Sequence, residues 1–179
     1  HLTMHAAHML ANEVATSELK SIDGLNVFVT ERYDRAIVGG EWRRLHQEDM
    51  CQALSVPPTK KYQHHEGGPG LAAIAGLIKS LPLESDRQEV GRRFYQAFVF
   101  NIVAGCTDAH AKNYSIMIRG NGSSLAPMYD VMCGEVWENV TKPHRRGVAR
   151  RAPRRVTRMP SSTDTIRLKQ SRPGARLRS

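Results

Sequence analysis

The segment that most constrains the fold of this 179-residue chain is residues 100–131, where a polar loop lies between an apolar helical run and a β-hairpin pattern. The loop carries Asp108 and, five positions later, Asn113, and Asp130 follows the hairpin. A short loop that leaves a helix can direct a carboxylate at a hydroxyl nucleophile and an amide oxygen at a cation. The hairpin then brings the second carboxylate back to the same cation. Magnesium prefers such hard oxygen ligands and keeps several waters and phosphate oxygens, so two protein ligands are enough. The sequence therefore predicts that the three side chains converge on one divalent cation.

Patterns on either side of the loop predict the elements that hold it. Ser85 precedes Gln88 by three residues, which is typical of a capping box and predicts a long helix after it. That helix becomes apolar around much of its circumference toward its end, so we expect it in the core. Gly105 provides the exit from the helix. Residues 114–118 and 125–129 flank a Gly-Asn-Gly-Ser turn and predict the hairpin.

The first eighty residues contain shorter elements. Helical spacing of apolar residues predicts a helix within 1–16, and a β-rich run after an Asp-Gly turn predicts a strand over 25–33. A short helix is expected at 45–54, stopped by two prolines. Residues 57–70 are predicted to be a loop, since their glycines match neither a P-loop nor a kinase glycine-rich loop. A compact apolar helix is predicted at 71–81.

Charge divides the chain at about residue 138. Residues 1–138 hold 13 Lys and Arg against 16 Asp and Glu, whereas residues 139–179 hold 13 Lys and Arg against Asp164 alone. The net charge of +9 therefore belongs to the final segment and says nothing about the preceding part. A segment rich in Arg, Pro, Ser and Thr is typical of a disordered arm that binds nucleic-acid phosphates. A shifted reading frame in GC-rich coding sequence is the second explanation.

The three cysteines, Cys51, Cys106 and Cys133, form no Cys-x2-Cys pair. An odd number without that spacing predicts reduced thiols rather than disulfides or a zinc site, which is typical of a cytoplasmic protein. No apolar run approaches eighteen residues, and no basic-then-apolar leader is present. We therefore expect a cytoplasmic chain that makes no membrane contact.

The sequence DAHAKN, at 108–113, resembles the catalytic core of the HipA-like serine/threonine kinases, which are bacterial toxin-type kinases with a protein-kinase-like fold. A hydrophobic helix precedes it and LAPMYDV, at 125–131, follows it, as in that family. Protein kinases place an aspartate and an asparagine at this separation and add a later metal-binding aspartate. Three upstream stretches resemble the same family in the same order: VFVTERYDR (27–35), LHQEDMCQALSV (45–56) and KYQHHEGGPG (61–70).

The resemblance covers roughly residues 1–133 and implies an α+β protein-kinase-like fold. Residues 1–138 would form the hinge strand and the α-rich large lobe, with the small lobe largely missing. The sequence is thus expected to be truncated at its N-terminus and to have little or no kinase activity by itself. Because the resemblance ends where the composition changes, the shifted frame is favoured over a functional basic arm.

The resemblance also implies a role for each residue of the polar loop. Asp108 would accept or orient the proton of a substrate serine or threonine hydroxyl, and Asn113 and Asp130 would hold Mg²⁺ on the phosphates of ATP. His110 and Lys112 lie where the family loop lines the nucleotide. In this class of reaction positioning and charge neutralisation supply most of the catalysis.

At the other end of the nucleotide, the resemblance implies that backbone groups near Glu31, Arg32 and Tyr33 bind the adenine. The implied partners are a protein substrate with a serine or threonine acceptor and a small DNA-binding antitoxin, with direct nucleic-acid contact through the tail at 139–179. Two alternatives stay open. One is a non-catalytic remnant whose basic tail binds nucleic acid. The other is a small-molecule kinase of the aminoglycoside type, whose histidine-glycine-aspartate lead-in is replaced here by Gly105-Cys106-Thr107 before the aspartate.

Overall fold

The computed structural model describes residues 1–120 and 122–135, which form a mixed α+β structure. Its helices are α1 (Leu2–Met9), α2 (Met50–Ala53), α3 (Gln63–Glu66), α4 (Leu71–Lys79) and α5 (Glu84–Val103), with 3₁₀ turns at Pro58–Lys60 and Ala111–Asn113. Its strands are β1 (Ser17–Ile22), β2 (Leu25–Thr30), β3 (Arg35–Val38), β4 (Glu41–Arg44), β5 (Gln47–Asp49), β6 (Ser115–Arg119) and β7 (Gly122–Leu125). No helix in this part of the chain is long and apolar enough to cross a bilayer.

The strands of the described residues pair in three antiparallel sheets, β1–β2, β3–β4 and β5–β6–β7. The predicted strand over 25–33 ends at Thr30 and pairs with β1, which the sequence interpretation did not predict. Asp23 and Gly24 close that hairpin with positive φ angles of 51° and 78°, as the Asp-Gly turn requires. The predicted hairpin after the polar loop is present as β6–β7, but its second strand starts earlier and ends at Leu125.

The helix predicted at 45–54 is wrong in its first half. Residues Gln47–Asp49 form β5 and pair with β6, and only Met50–Ala53 are helical. Asp49 ends the strand and caps the helix, because its side chain accepts from the Gln52 N–H (2.9 Å) and its own N–H donates to Gln52 Oε1 (3.0 Å). The predicted loop at 57–70 likewise contains short turns of helix.

The capping box predicted at Ser85 is also wrong. Helix α5 begins at Glu84, its N-cap Leu83 makes no side-chain capping bond, and Ser85 lies inside the first turn. Arg87 instead turns back and donates to the Leu81 carbonyl (2.6 Å) and the Pro82 carbonyl (3.2 Å). The spacing of Ser85 and Gln88 therefore does not mark this helix start.

One face of α5 supplies much of the core. Its buried residues are Val90, Phe94, Ala97, Phe100 and Asn101, which pack with Met50, Tyr114 and Ile116 among others. The C-terminal end is less buried than its apolar circumference predicts, since Ile102 is 54% exposed and Val103 79% exposed. The buried face is nevertheless the one that meets the polar loop and the hairpin.

Candidate active site

The polar loop, residues 104–114, is attached at both ends to α5. Gly105 adopts a φ of +66°, which is strained for any other residue, and turns the chain off the helix. The Asn101 carbonyl then accepts from the Cys106 N–H (2.8 Å), and Asn101 Nδ2 donates to the Tyr114 hydroxyl (2.7 Å). The Phe94 ring contacts the Tyr114 ring edge-on, with 5.0 Å between centroids. Buried contacts from one helix therefore fix the start and the end of the loop.

Asn113 and Asp130 lie next to each other although the hairpin separates them. Asn113 Nδ2 lies 3.5 Å from Asp130 Oδ2, and Asn113 Oδ1 accepts from the His110 N–H at 2.9 Å. Asp130 has a φ of +54°, a left-handed conformation that aspartate tolerates better than most residues. An uncommon backbone conformation at a polar cleft is typical of a functional site.

Asp108 lines the same cleft as Asn113 and Asp130. Asn101, Tyr114 and Tyr129 line it as well. The fold therefore brings Asp108, Asn113 and Asp130 to one cleft, and their catalytic and metal-binding roles stay predictions.

Tyr62 also contacts this site, and the sequence interpretation missed it. Its hydroxyl donates to Asp108 Oδ1 at 2.5 Å, and that hydrogen bond, with burial as the second cause, raises the pKa of Tyr62 to about 12. The only signal in the sequence was the stretch 61–70, which resembles the family without identifying which residue reaches the loop.

His110 packs against Tyr62 rather than pointing into solvent. The two rings meet edge-on with 5.0 Å between centroids. Burial, and then the charge of Lys61, lower the pKa of His110, so the imidazole is neutral at physiological pH. Its Nδ1 is buried and has no hydrogen-bond partner among the described residues.

Lys112 is directed toward Asp49, with 3.9 Å between Lys112 Nζ and Asp49 Oδ2. Its carbonyl accepts from the Tyr129 hydroxyl at 2.6 Å, and that hydroxyl also bonds to Ser115 Oγ at 2.6 Å. Desolvation raises the pKa of Tyr129, so this buried phenol remains a donor. The residue just before Asp130 is in this way tied to the end of the polar loop.

The three residues predicted at the hinge do not have equal access to the site. Tyr33 contacts Tyr129, with 5.4 Å between ring centroids, and its hydroxyl donates to Gln47 Oε1 at 2.8 Å. Burial raises the pKa of the Tyr33 phenol. Tyr33 therefore contacts the neighbour of Asp130, so one of the three residues predicted at the hinge lies beside the candidate site.

The groups of Glu31 and Arg32 are used in local structure. The Glu31 N–H donates to the Thr16 carbonyl (2.8 Å), and the Arg32 carbonyl accepts from the Arg35 N–H (3.3 Å). The Arg32 guanidinium forms two hydrogen bonds to Asp34, at 2.6 and 2.5 Å. Their adenine-binding role stays a prediction, and these contacts leave fewer free backbone groups for it than the sequence implied.

The donor chemistry of the cleft fits magnesium bound together with phosphates. Over residues 1–120 and 122–135 no group of three or more His, Cys, Asp or Glu side chains could hold a metal alone. Asn113 and Asp130 nevertheless supply oxygen donors, and magnesium commonly takes one or two protein ligands with phosphates and waters. Asn101 Oδ1 is buried, belongs to a residue that lines the same cleft, and has no partner in the described part. A water or another donor in the cleft would satisfy it.

Comparison with known proteins identifies the family. A family model described as the HipA-like C-terminal domain matches residues 1–177. The chain belongs to this family. The matched range includes most of the basic segment that the sequence interpretation placed outside the resemblance. That segment lies outside the described residues, and the two explanations for it stay predictions.

Two curated relatives support the assignment. The chain is 38% identical over 130 residues to "Putative kinase Y4mE" of Sinorhizobium fredii, and this match covers 72% of this chain and 30% of that protein. It is 30% identical over 147 residues to the serine/threonine-protein kinase toxin HipA of Shewanella oneidensis, and this match covers 77% of this chain and 34% of the toxin. The chain therefore spans about a third of the length of these relatives.

Two solved structures match in fold. One is the Shewanella oneidensis HipA in complex with HipB and operator DNA, with a TM-score of 0.66, 27% identity, and coverage of 79% of this chain and 35% of that one. The other is the Helicobacter pylori proinflammatory kinase CtkA, with a TM-score of 0.54, 14% identity, and coverage of 72% and 42%. The second shows the fold alone. The kinase-like α+β fold predicted from the sequence is confirmed.

Proposed function

We propose that this chain carries the proton-accepting and metal-binding residues of an ATP-dependent serine/threonine protein kinase of the HipA type. The observation that supports the proposal most is the convergence of Asp108, Asn113 and Asp130 on one cleft, with 3.5 Å between the last two side chains. A HipA-like family match and a relative that is a serine/threonine kinase toxin point to the same chemistry.

Asp108 is the proposed acceptor for the proton of the substrate hydroxyl. Its Oδ1 is engaged by Tyr62, so Oδ2 is the oxygen that would meet an incoming serine or threonine. The transition state of phosphoryl transfer is loose, and most of the catalysis comes from alignment of the two reacting oxygens and from charge neutralisation. A carboxylate that is held in one orientation helps to align the attacking hydroxyl oxygen.

Asn113 and Asp130 are the proposed ligands of Mg²⁺, which, when bound, neutralises charge on the phosphates. In the observed arrangement the amide nitrogen of Asn113 faces Asp130, and the amide oxygen accepts from the His110 N–H. Ligation by both residues therefore requires a turn of the carboxamide that brings its oxygen toward Asp130. The His110 backbone bond is the contact that such a turn breaks.

The nucleotide is proposed to extend from this cleft toward Tyr33, the hinge residue that contacts the chain beside Asp130. His110 and Lys112 would line it. Because Lys112 Nζ lies 3.9 Å from Asp49, its charge reaches the phosphates only if that long ion pair opens. The backbone groups of Glu31 and Arg32 that remain free of local contacts are proposed to bind the adenine.

Partners are proposed from the relatives. The Shewanella oneidensis HipA is found with HipB and operator DNA. By analogy, we propose a small DNA-binding antitoxin as a partner of the protein to which this chain belongs, and a protein substrate with a serine or threonine acceptor. Contact of the tail at 139–179 with nucleic acid is proposed from its charge alone.

Transfer of radiolabelled phosphate from ATP, to the chain itself or to an added serine- and threonine-containing protein, tests the proposal. Because the chain spans about a third of its relatives' length, we expect only weak labelling, which depends on magnesium and which Asp108→Asn abolishes. The matched control is Asp23→Asn, which removes an exposed carboxylate in the β1–β2 turn and should leave labelling unchanged. Labelling that survives Asp108→Asn would contradict the role of that carboxylate, and labelling that needs no magnesium would contradict the metal site.

A further inference from the structure

We propose that Tyr62 is a positioning residue for Asp108: its hydroxyl holds one carboxylate oxygen so that the other faces the acceptor hydroxyl. This inference rests on the proposed kinase function. Neither the spacing of the polar loop nor the matches to known proteins assign any role to Tyr62. The inference adds to the candidate site a residue from a separate segment of the chain.

The contact itself is short and joins distant parts of the sequence. The Tyr62 hydroxyl lies 2.5 Å from Asp108 Oδ1, and 46 positions separate the two residues. Hydrogen bonds from a hydroxyl to an ionised carboxylate are shorter and about twice as strong as those between neutral groups. A loop aspartate without such a bond would rotate among several orientations, whereas this bond selects one of them.

Tyr62 is itself held in place by its own turn. Its N–H donates to Glu66 Oε2 (3.1 Å), and its carbonyl accepts from the N–H groups of Glu66 (3.2 Å) and Gly68 (3.0 Å). Gly68 packs so tightly that a Cβ there would lie 2.2 Å from the Lys60 carbonyl oxygen. Only glycine fits at that position, so the turn that presents Tyr62 has one defined shape.

The same turn is fastened to the polar loop at further points. The Lys61 carbonyl accepts from the Ala111 N–H at 3.4 Å, and the ring of Tyr62 packs edge-on against His110. Lys61 Nζ lies 4.9 Å from the centre of the Tyr62 ring. Backbone, ring and hydroxyl contacts together fix the phenol against the loop, which is what a positioning group requires.

A competing interpretation is that the Tyr62 hydroxyl occupies the place of the substrate hydroxyl and blocks it. The backbone attachment of Lys61 to the polar loop favours the positioning role, because a blocking group must be able to leave. The protonation state is also suitable. The bond to Asp108 raises the pKa of the phenol to about 12, so Tyr62 remains a donor throughout the neutral range.

The hydrogen bond can be tested in the whole chain without any activity. Tyrosine labelled with carbon-13 at Cζ reports phenol ionisation, and Tyr62→Phe identifies the resonance. We expect Asp108→Asn to lower the pKa of Tyr62 from about 12 toward the ordinary value, whereas the exposed control Asp23→Asn leaves it unchanged. An unchanged pKa in Asp108→Asn would overturn the proposal.

The positioning role is then tested by kinetics on the chain with magnesium and ATP. We expect Tyr62→Phe to lower kcat about tenfold or more with little change in the KM for ATP, since the variant keeps the ring and loses only the bond that aligns Asp108. The matched control is Tyr95→Phe, which removes a phenol hydroxyl from an exposed position on α5. A higher kcat in Tyr62→Phe would support the blocking interpretation and overturn positioning.

The outcomes separate this inference from the function on which it rests. If the wild-type chain transfers phosphate and Tyr62→Phe matches it, only the positioning role fails. If the wild-type chain neither transfers phosphate nor binds magnesium nucleotide, the proposed function fails and the positioning role fails with it, whatever the titration shows. If transfer is too slow to measure while nucleotide binds, an unchanged pKa of Tyr62 in Asp108→Asn overturns the positioning role, and a lowered pKa supports the hydrogen bond on which that role depends.

Discussion

Asn113 Nδ2 lies 3.5 Å from Asp130 Oδ2, although 17 positions and a β-hairpin separate the two residues. The approach results from β6 and β7, which pair in antiparallel register from Ile116↔Leu125 to Arg119↔Gly122. The hairpin brings the chain back so that Asp130, at a positive φ, faces the polar loop. Once the carboxamide turns its oxygen toward Asp130, the two side chains offer two of the oxygen ligands that a divalent cation takes.

The exit from α5 should be sensitive to a side chain at Gly105. Gly105→Ala places a methyl group at a φ of +66° and 2.5 Å from Glu135 Cγ, so the Glu135 side chain must move. We expect a loss of about 1–2 kcal/mol in unfolding free energy and weaker binding of magnesium nucleotide. Urea unfolding and calorimetry measure the two effects.

Gly120→Ala is the control for that variant. Its φ of +54° imposes a similar backbone strain, but no heavy atom of the described residues, apart from its chain neighbours, lies within 4 Å of the added methyl group. It should cost about 1–2 kcal/mol as well and leave nucleotide binding intact. Equal effects of the two variants on nucleotide binding would show that Gly105 does not position the polar loop.

The buried pair of Asn101 and Tyr114 should be energetically coupled. Asn101→Ala leaves the Tyr114 hydroxyl without its donor, and Tyr114→Phe leaves Asn101 Nδ2 unpaired, so each is expected to cost about 1–3 kcal/mol. The double variant should cost less than the sum, by about 1 kcal/mol, in a double-mutant cycle measured by denaturant unfolding. Strict additivity would mean that the bond contributes nothing. Tyr95→Phe, on the exposed face of α5, should stay within about 0.5 kcal/mol of the wild type.

Asp34 should make stability depend on pH. Its side chain is 1% exposed, and hydrogen bonds from Arg32 are the main cause that lowers its pKa below the ordinary 3.8, against the opposing effect of burial. A carboxyl with a lowered folded-state pKa stabilises the fold above its unfolded pKa, and that contribution is lost as the pH falls through the folded value. We expect Asp34→Asn to cost about 1–3 kcal/mol at neutral pH.

The difference between Asp34→Asn and the wild type should shrink as the pH is lowered below 3.8. Unfolding free energies measured by urea from neutral pH to about pH 3 follow it. A difference that stays constant over this range would show that the charge of Asp34 does not matter. Asp23→Asn, which changes an exposed aspartate, should have little effect on the unfolding free energy at neutral pH or at about pH 3.

The local parts of the site were predictable from the sequence, and the non-local parts were not. The separation of Asp108 and Asn113, a glycine exit and a turn before Asp130 are encoded in neighbouring residues, so the convergence of the three side chains could be foreseen. The pairing of β5 with β6 joins Gln47 to Met117, and no local pattern predicts it. The bond between Tyr62 and Asp108 was missed for the same reason.

Two local rules were overridden by tertiary contacts. Ser85 has the spacing of a capping box, but helix α5 already begins at Glu84. The Arg87 side chain donates to a carbonyl that precedes the helix. The apolar end of α5 predicts burial on most sides, yet Val103 is 79% exposed because only one face meets the core. Periodicity identified the helix but could not say how much of it other elements cover.

The central claim is that the pair of Asn113 and Asp130 holds Mg²⁺ on a nucleotide. Calorimetric titration with a non-hydrolysable ATP analogue, with and without magnesium, tests it on the chain itself. Asp130→Asn is the suitable variant because asparagine tolerates the φ of +54° and only the charge is lost. Asp23→Asn, with a φ of 51° at an exposed turn, is its matched control.

We expect the wild-type chain and Asp23→Asn to bind the analogue only with magnesium, and Asp130→Asn to weaken this binding about tenfold or more. Binding of the analogue that does not depend on magnesium, or that is equally tight in Asp130→Asn and Asp23→Asn, would contradict the proposed metal site.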